Sequence, residues 1–224
     1  MIQVLRVFFG LLVIGAQAPG AGPSPPPAAE LARALQRKYD AIHDFSAGFV
    51  HTYEGGVLRK RATERGTVLI KKPGKMRWTY TAPEQKLFVS DGRKVYSYIP
   101  EDKQVIVSAV PAGDQATTPA LFLAGKGDLS RDFTPSLTEV PGAPARTYAL
   151  KLTPKKSDLE YDWLTLVIDR ESLQIRMLVT LDPQGGRSTF TFTNLKENQG
   201  LPDKEFVFKV PRGVDVITDD RSAD

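Results

Sequence analysis

The sequence predicts a mainly β protein in which one strongly curved antiparallel sheet is covered by helical pieces. Three observations carry this expectation. From Phe45 onward, short runs of alternating apolar and polar residues recur at a spacing close to ~10 residues. Turn chemistry separates several of them, at Pro73-Gly74, Asp91-Gly92 and Asp182 to Gly186. Strands spaced this closely pair antiparallel, because a parallel crossover needs a dozen or more connecting residues. Apolar residues at helical spacing occur in two places, one before the strands and one among them.

The first helix is expected in AAELARALQRKYDAIHDF, where Leu31, Leu35, Tyr39 and Ile42 recur every three or four residues. Arg33, Gln36, Arg37 and Lys38 fall mostly elsewhere, so the helix should lie on an apolar surface. Strands are expected at 45–53, 65–72, 75–81, 85–90, 93–99, 103–109, 147–153, 161–169, 173–181, 187–195 and 205–210. The second helical piece is TTPALFLAG, with Thr117 or Thr118 as N-cap, Pro119 in the first turn and Gly125 at the end.

Within the strands, Met76, Trp78 and Tyr80 share one side, as do Leu164, Leu166 and Ile168, and Phe190 with Phe192. In LFVSDGRKVYSYIP, Asp91-Gly92 reads as a hairpin turn. Leu87 and Val89 share a face before it, and Tyr96 and Tyr98 share one after it. The helices offer few apolar residues to cover so much aromatic surface, and this mismatch points to a cavity. Its expected lining is Met76, Trp78, Leu87, Val89, Tyr96, Tyr98, Leu164, Leu166, Phe190 and Phe192, beneath Leu35, Leu121, Phe122 and Leu123.

The 224 residues suffice for one sizeable domain. The net charge of +4 is mixed along the chain, so nucleic acid is not an expected partner. RKRATER (Arg59 to Arg65), the densest basic stretch, reads as a solvated hairpin loop. With no cysteine, the chain can hold no disulfide, thiolate metal site or cysteine nucleophile, nor a lipid attached through cysteine. Arg6, the apolar run Val7 to Ile14 and the small residues Gly15 to Gly22 read as a secretory signal. The expected organisation is a signal over 1–20, cut somewhere in 16–22, then a Pro-rich tether over 21–28. One domain over 29–218 and an acidic tail over 219–224 follow.

The sequence contains no G-x-S-x-G, HExxH, Walker A or Rossmann glycine pattern. His43 and His51, its two histidines, read as surface or partly buried polar residues. The chain is therefore expected not to be an enzyme and to use no metal or cofactor.

KKPGKMRW followed by LFVSDGRKVYSYIPEDKQV resembles the core of the periplasmic outer-membrane lipoprotein carrier proteins, the LolA family. DFSAGF, TPALFLAG, LTPKKSDLEYDWLTLVID and FVFKVPRGVDVI fit the same family in order and spacing, over residues 30 to about 217. The resemblance implies an incomplete antiparallel β-barrel whose concave apolar face is closed by helices. It implies a monomer that receives acylated lipoproteins from an ATP-driven inner-membrane transporter and carries them across the periplasm to an outer-membrane receptor. The family's basic residue tied to the lid and to cargo transfer, usually Arg, falls at Lys72, which keeps the charge but lacks Arg's planar fork. Where the family's first strand often reads F-x-Q, this chain has Phe49-Val50-His51. The receptor of the same pathway shares the fold but carries a lipidated cysteine, which disfavours it here. A lipid- or lipoprotein-sensing regulatory domain of this fold is the alternative. Leu121 and Leu123 are expected in the lid, and Leu123→Asp is expected to impair loading while sparing the fold.

Overall fold

The computed structural model describes residues 25–55, 60–111, 118–156 and 161–219. The expected signal, most of the tether, Thr117 and residues 220–224 of the tail lie outside these. Helix α1 (Ala28–Asp40) leads into strands β1 (Asp44–Gly55), β2 (Lys60–Lys71), β3 (Lys75–Ala82), β4 (Lys86–Asp91), β5 (Lys94–Ile99) and β6 (Gln104–Ala109). Two short helices follow, α2 (Pro119–Leu123) and α3 (Leu129–Asp132). Strands β7 (Phe133–Thr138), β8 (Thr147–Pro154), β9 (Trp163–Asp169), β10 (Ile175–Leu181), β11 (Arg187–Glu197) and β12 (Asp215–Asp219) complete the chain.

All twelve strands form one sheet in the order β12-β6-β5-β4-β3-β2-β1-β11-β10-β9-β8-β7. Two antiparallel meanders are thus joined where β1 pairs with β11, across more than half the chain. The edges β7 and β12 do not meet, so the barrel is incomplete. Its curl is evident from Val95 on β5 and Leu178 on β10, which line one cavity although β4, β3, β2, β1 and β11 lie between their strands.

Helix α1 buries Leu31, Ala32, Leu35 and Tyr39, the stripe its periodicity predicts, and packs against α3, β7 and β8. Thr118 caps α2 by accepting a hydrogen bond from the Leu121 amide at 3.2 Å, and Pro119 follows as its first residue.

Three expectations are corrected. Residues 205–210 are not a strand. Asp203–Phe206 is a 3-10 turn followed by irregular chain, and the edge strand is β12, parallel to β6. The alternation in EFVFKV is real, but the carbonyls of Glu205 and Val207 are taken by the Arg77 guanidinium rather than a strand. Second, the basic stretch is solvated but is no loop: β2 begins at Lys60 and runs through it, with Arg61, Ala62, Thr63 and Arg65 exposed, and Arg59 lies outside the described residues. Third, α3 and β7 had no counterpart in the expectation. Pro135 argues against a strand in FTPSLT, yet β7 is an edge strand, where a missing N–H costs nothing.

The helices fill only part of the concave side. Leu150, Leu152, Leu164, Leu166 and Ile168 are fully buried there, in one cluster with Leu129 of α3 and Phe133 of β7.

Candidate functional site

Strand register decides which side chains face inward. Across β3 and β4, Trp78 lies opposite Phe88, Met76 opposite Ser90 and Tyr80 opposite Lys86. Directly opposed residues share a face, so Phe88 and Ser90 join Trp78 on the inside. The next pairs, Phe88 with Ser97 and Ser90 with Val95, keep Val95 and Ser97 inside as well. Leu87, Val89, Tyr96 and Tyr98 therefore face outward, contrary to the sequence expectation. Each was paired with the right neighbour within its strand, but a shift of one residue reverses the face. On the outer side, the rings of Tyr96 and Tyr98 meet Phe208 at 5.3 and 5.7 Å, and Val89 is fully buried.

The inner side holds a cavity of about 560 Å³, within the usual range for small-molecule sites. Met76, Trp78, Tyr80 and Phe88 form one wall, Leu178 and Phe190 the facing one, and Pro119 to Leu121 with Leu123 the roof. Leu164 and Leu166 face the same side but sit in the filled half, so they do not line it. Phe192 lies beneath α1, beside Leu35, Tyr39 and Leu123. Phe122 turns from the cavity, stacking on Tyr39 at 5.6 Å and meeting Phe133 edge-on at 6.4 Å.

Lys72 stands at one end of the cavity's roof. Its ammonium donates to the Tyr39 carbonyl and sits 3.5 Å from the centre of the Tyr39 ring. The Tyr39 hydroxyl donates in turn to the Leu123 carbonyl, and the Gly74 amide to that of Ala124 at 2.9 Å. Gly125 has φ +87°, and a Cβ there would meet the Lys72 stem at 2.8 Å, so glycine is required twice over. Lys72, Tyr39 and Gly74 together thus fasten the ends of α1 and α2 to the turn between β2 and β3.

Burial pushes the Lys72 ammonium down to about 8, against the pull of Asp40. Below that pH the lysine is charged whether the fastening is closed or open, and the burial cost is present in full. Between about 8 and the ordinary 10.5, the closed form has shed a proton that the open form keeps. Closure is therefore expected to strengthen as pH rises through this window. Urea midpoints measured from about pH 7.5 to about pH 9.5 should rise in the native chain relative to Lys72→Met. Parallel curves for the two proteins would remove Lys72 as the cause.

The opposite end of the inner face is polar. His51 on β1 faces Glu64 on β2, with Nδ1 3.1 Å from the Glu64 carboxylate and Nε2 3.3 Å from the Ser188 hydroxyl. Burial lowers the imidazole pKa, outweighing Glu64, so the ring is neutral near pH 7. Nδ1–H then donates to Glu64, and Nε2 accepts from Ser188. Lys86 donates to the other Glu64 oxygen at 2.7 Å. Carboxylate, imidazole and hydroxyl fall in the order of a hydrolytic relay. Ser188, however, sits in a strand paired on both sides, whose amides are committed to the ladder rather than to an oxyanion. Sequence reading passed over Glu64, Lys86 and Ser188. The alternation of β2 could have turned Glu64 inward only if that strand's start had been recognised.

Residues 40–209 match the family model described as "Outer membrane lipoprotein carrier protein LolA". The chain belongs to the LolA family. A relative from Nitrosomonas europaea, named outer-membrane lipoprotein carrier protein, is 34% identical over 73% of this chain and 75% of its own length. A relative of the same name from Chromohalobacter salexigens is 33% identical over 83% and 86%. One from Pseudomonas aeruginosa is 35% identical over 74% and 76%. Among solved structures, an uncharacterized conserved protein from Thermus thermophilus matches with a TM-score of 0.52 at 12% identity, covering 85% of this chain and 99% of that one. That likeness concerns the fold alone. Within this LolA-family chain, then, the roofed cavity, the Lys72 fastening and the polar end occupy one concave surface.

Proposed function

We propose that this chain is a periplasmic lipoprotein carrier whose cavity beneath α2 takes up acyl chains. It receives acylated proteins from an ATP-driven inner-membrane transporter and delivers them to an outer-membrane receptor, acting as a monomer and without chemistry of its own. The observation that carries this reading is the roofed apolar cavity of about 560 Å³ in a LolA-family sheet. Burying an acyl chain gains about 0.8 kcal/mol per CH₂, or roughly 12 kcal/mol for a chain of about sixteen carbons. Acylated proteins therefore cross water only with apolar surface supplied to them. Delivery also needs release, and a roof that must be displaced lowers the net affinity by its own closing energy. In this reading Lys72 is the latch on that roof, and Leu121 and Leu123 are its inward face.

The test uses spheroplasts carrying a labelled lipoprotein destined for the outer membrane. Added mature protein is expected to draw the label into the medium as a soluble one-to-one complex. No release by folded protein, with a compatible transporter present, would overturn the carrier reading in favour of a lipid-sensing domain.

A further inference from the structure

The cavity wall contains one polar atom that nothing satisfies. Among the described residues, Trp78 Nε1 is buried without a hydrogen-bond partner, in a side chain only 5% exposed. Its ring stands edge-on to Phe49 at 5.2 Å and Phe190 at 5.4 Å, both apolar. Leaving such a donor unmet costs about 1–3 kcal/mol, so a buried orphan in a binding wall asks for an acceptor.

Trp78 does not stand alone. Tyr80 follows on the same face of β3, and beyond it lie Lys86, Glu64, His51 and Ser188. Phe190 lines the cavity and also lies flat on His51, ring centres 4.1 Å apart, so the apolar wall runs directly into the polar group. Lys86 contacts Glu64 at 2.7 Å and Glu84 at 3.3 Å, leaving one of its three N–H groups. A hydrocarbon tail has no use for any of these groups. The carbonyl oxygens that join acyl chains to glycerol or to an N-terminal amide can accept from the two donors left over, the Trp78 indole N–H and the third N–H of Lys86. His51 and Ser188, by contrast, are spent on Glu64 and on each other.

We propose that the end of the cavity that runs from the Trp78 indole N–H to the Lys86 ammonium, just past the apolar lining, is a subsite for the carbonyl oxygens of acyl esters and amides. The proposal rests on the reading that the cavity takes acyl chains. It gives the ligand a direction: chain ends run toward Lys72, and the head emerges beside His51.

Three probes separate the two ideas: diphenylhexatriene, which is pure hydrocarbon, a synthetic peptide bearing diacylglyceryl cysteine, and a phosphatidylcholine with the same chains. Lys86→Met is expected to weaken binding of the ester-bearing probes about five- to twentyfold, leaving the hydrocarbon unaffected. In Trp163→Phe protein labelled with ¹⁵N-tryptophan, the Trp78 indole proton should move downfield with the ester-bearing probes and not with the hydrocarbon. Tighter binding of the peptide than of the phospholipid would assign the carbonyls to a lipoprotein, and the reverse to a free lipid. If native protein binds none of the probes, the acyl-cavity reading fails. If it binds all three while Lys86→Met loses nothing selectively, or the indole responds equally to all, the subsite is overturned. A variant that fails to fold reveals itself by lost hydrocarbon binding, and the indole signal then decides.

Discussion

Asp44→Ala is expected to lower the unfolding midpoint by about 10 °C. Asp44 begins β1 and is 4% exposed. Its carboxylate accepts hydrogen bonds from the amides of Gln199 at 2.6 Å, Gly200 at 3.0 Å and Leu201 at 3.1 Å. Its carbonyl accepts from the Asn198 amide at 2.8 Å. One acid thus ties the start of the sheet's central strand to the segment leaving β11, and that segment continues to Phe206 and Phe208 on the outer face. Alanine would strand three amide donors together, at about 3–4 kcal/mol after partial rescue by water. Asn keeps one acceptor oxygen and should lose about half as much. Thermal unfolding of both variants checks this, with hydrocarbon-probe binding at low temperature as the control for an intact cavity. A shift under about 2 °C would mean that the amides find water instead.

That tie also shows why the fold was partly legible in the sequence. Helix α1 could be read because Leu31, Leu35 and Tyr39 repeat within a dozen residues, and α2 because Thr118 and Pro119 mark its start. The strands of the first meander could be read for the same local reason. Which face of a strand looks inward is not a local property. Leu87 and Val89 alternate as well as Phe88 and Ser90 do; what places them outside is Trp78 opposite Phe88 and a cover arriving from Phe206 and Phe208, more than a hundred residues later. Glu64 was hidden in a basic stretch because its inward turn depends on pairing with His51. The shortage of apolar cover did foretell a cavity. Its extent was misjudged because Leu129 and Phe133 also cover the concave side, from a segment without a periodic signal.

Leu123→Asp now carries a different expectation from the one drawn on sequence alone. Leu123 is 1% exposed, borders the cavity on one side and packs with Leu35 and Tyr39 on the other. Removing such a leucine costs about 2–5 kcal/mol, and a carboxylate cannot be buried there without a partner. The variant should therefore lose stability. Helix α2 is only five residues long, so lifting it away exposes far less surface than unfolding the sheet. The expected result is a lifted roof over a folded sheet: native β circular dichroism, a lowered midpoint, and release of lipoprotein from spheroplasts reduced more than about tenfold. Loading falls because the cavity loses a wall and gains a charge. Leu121→Ala separates this from a second role of the same helix. It weakens the roof without adding charge, so a roof that merely competes with cargo should yield normal loading but slower transfer to outer membranes. If Leu121→Ala instead impairs loading as Leu123→Asp does, α2 is part of the binding surface itself. If neither variant changes release or transfer, α2 is a structural cover, and the acyl chains must enter elsewhere on the concave face.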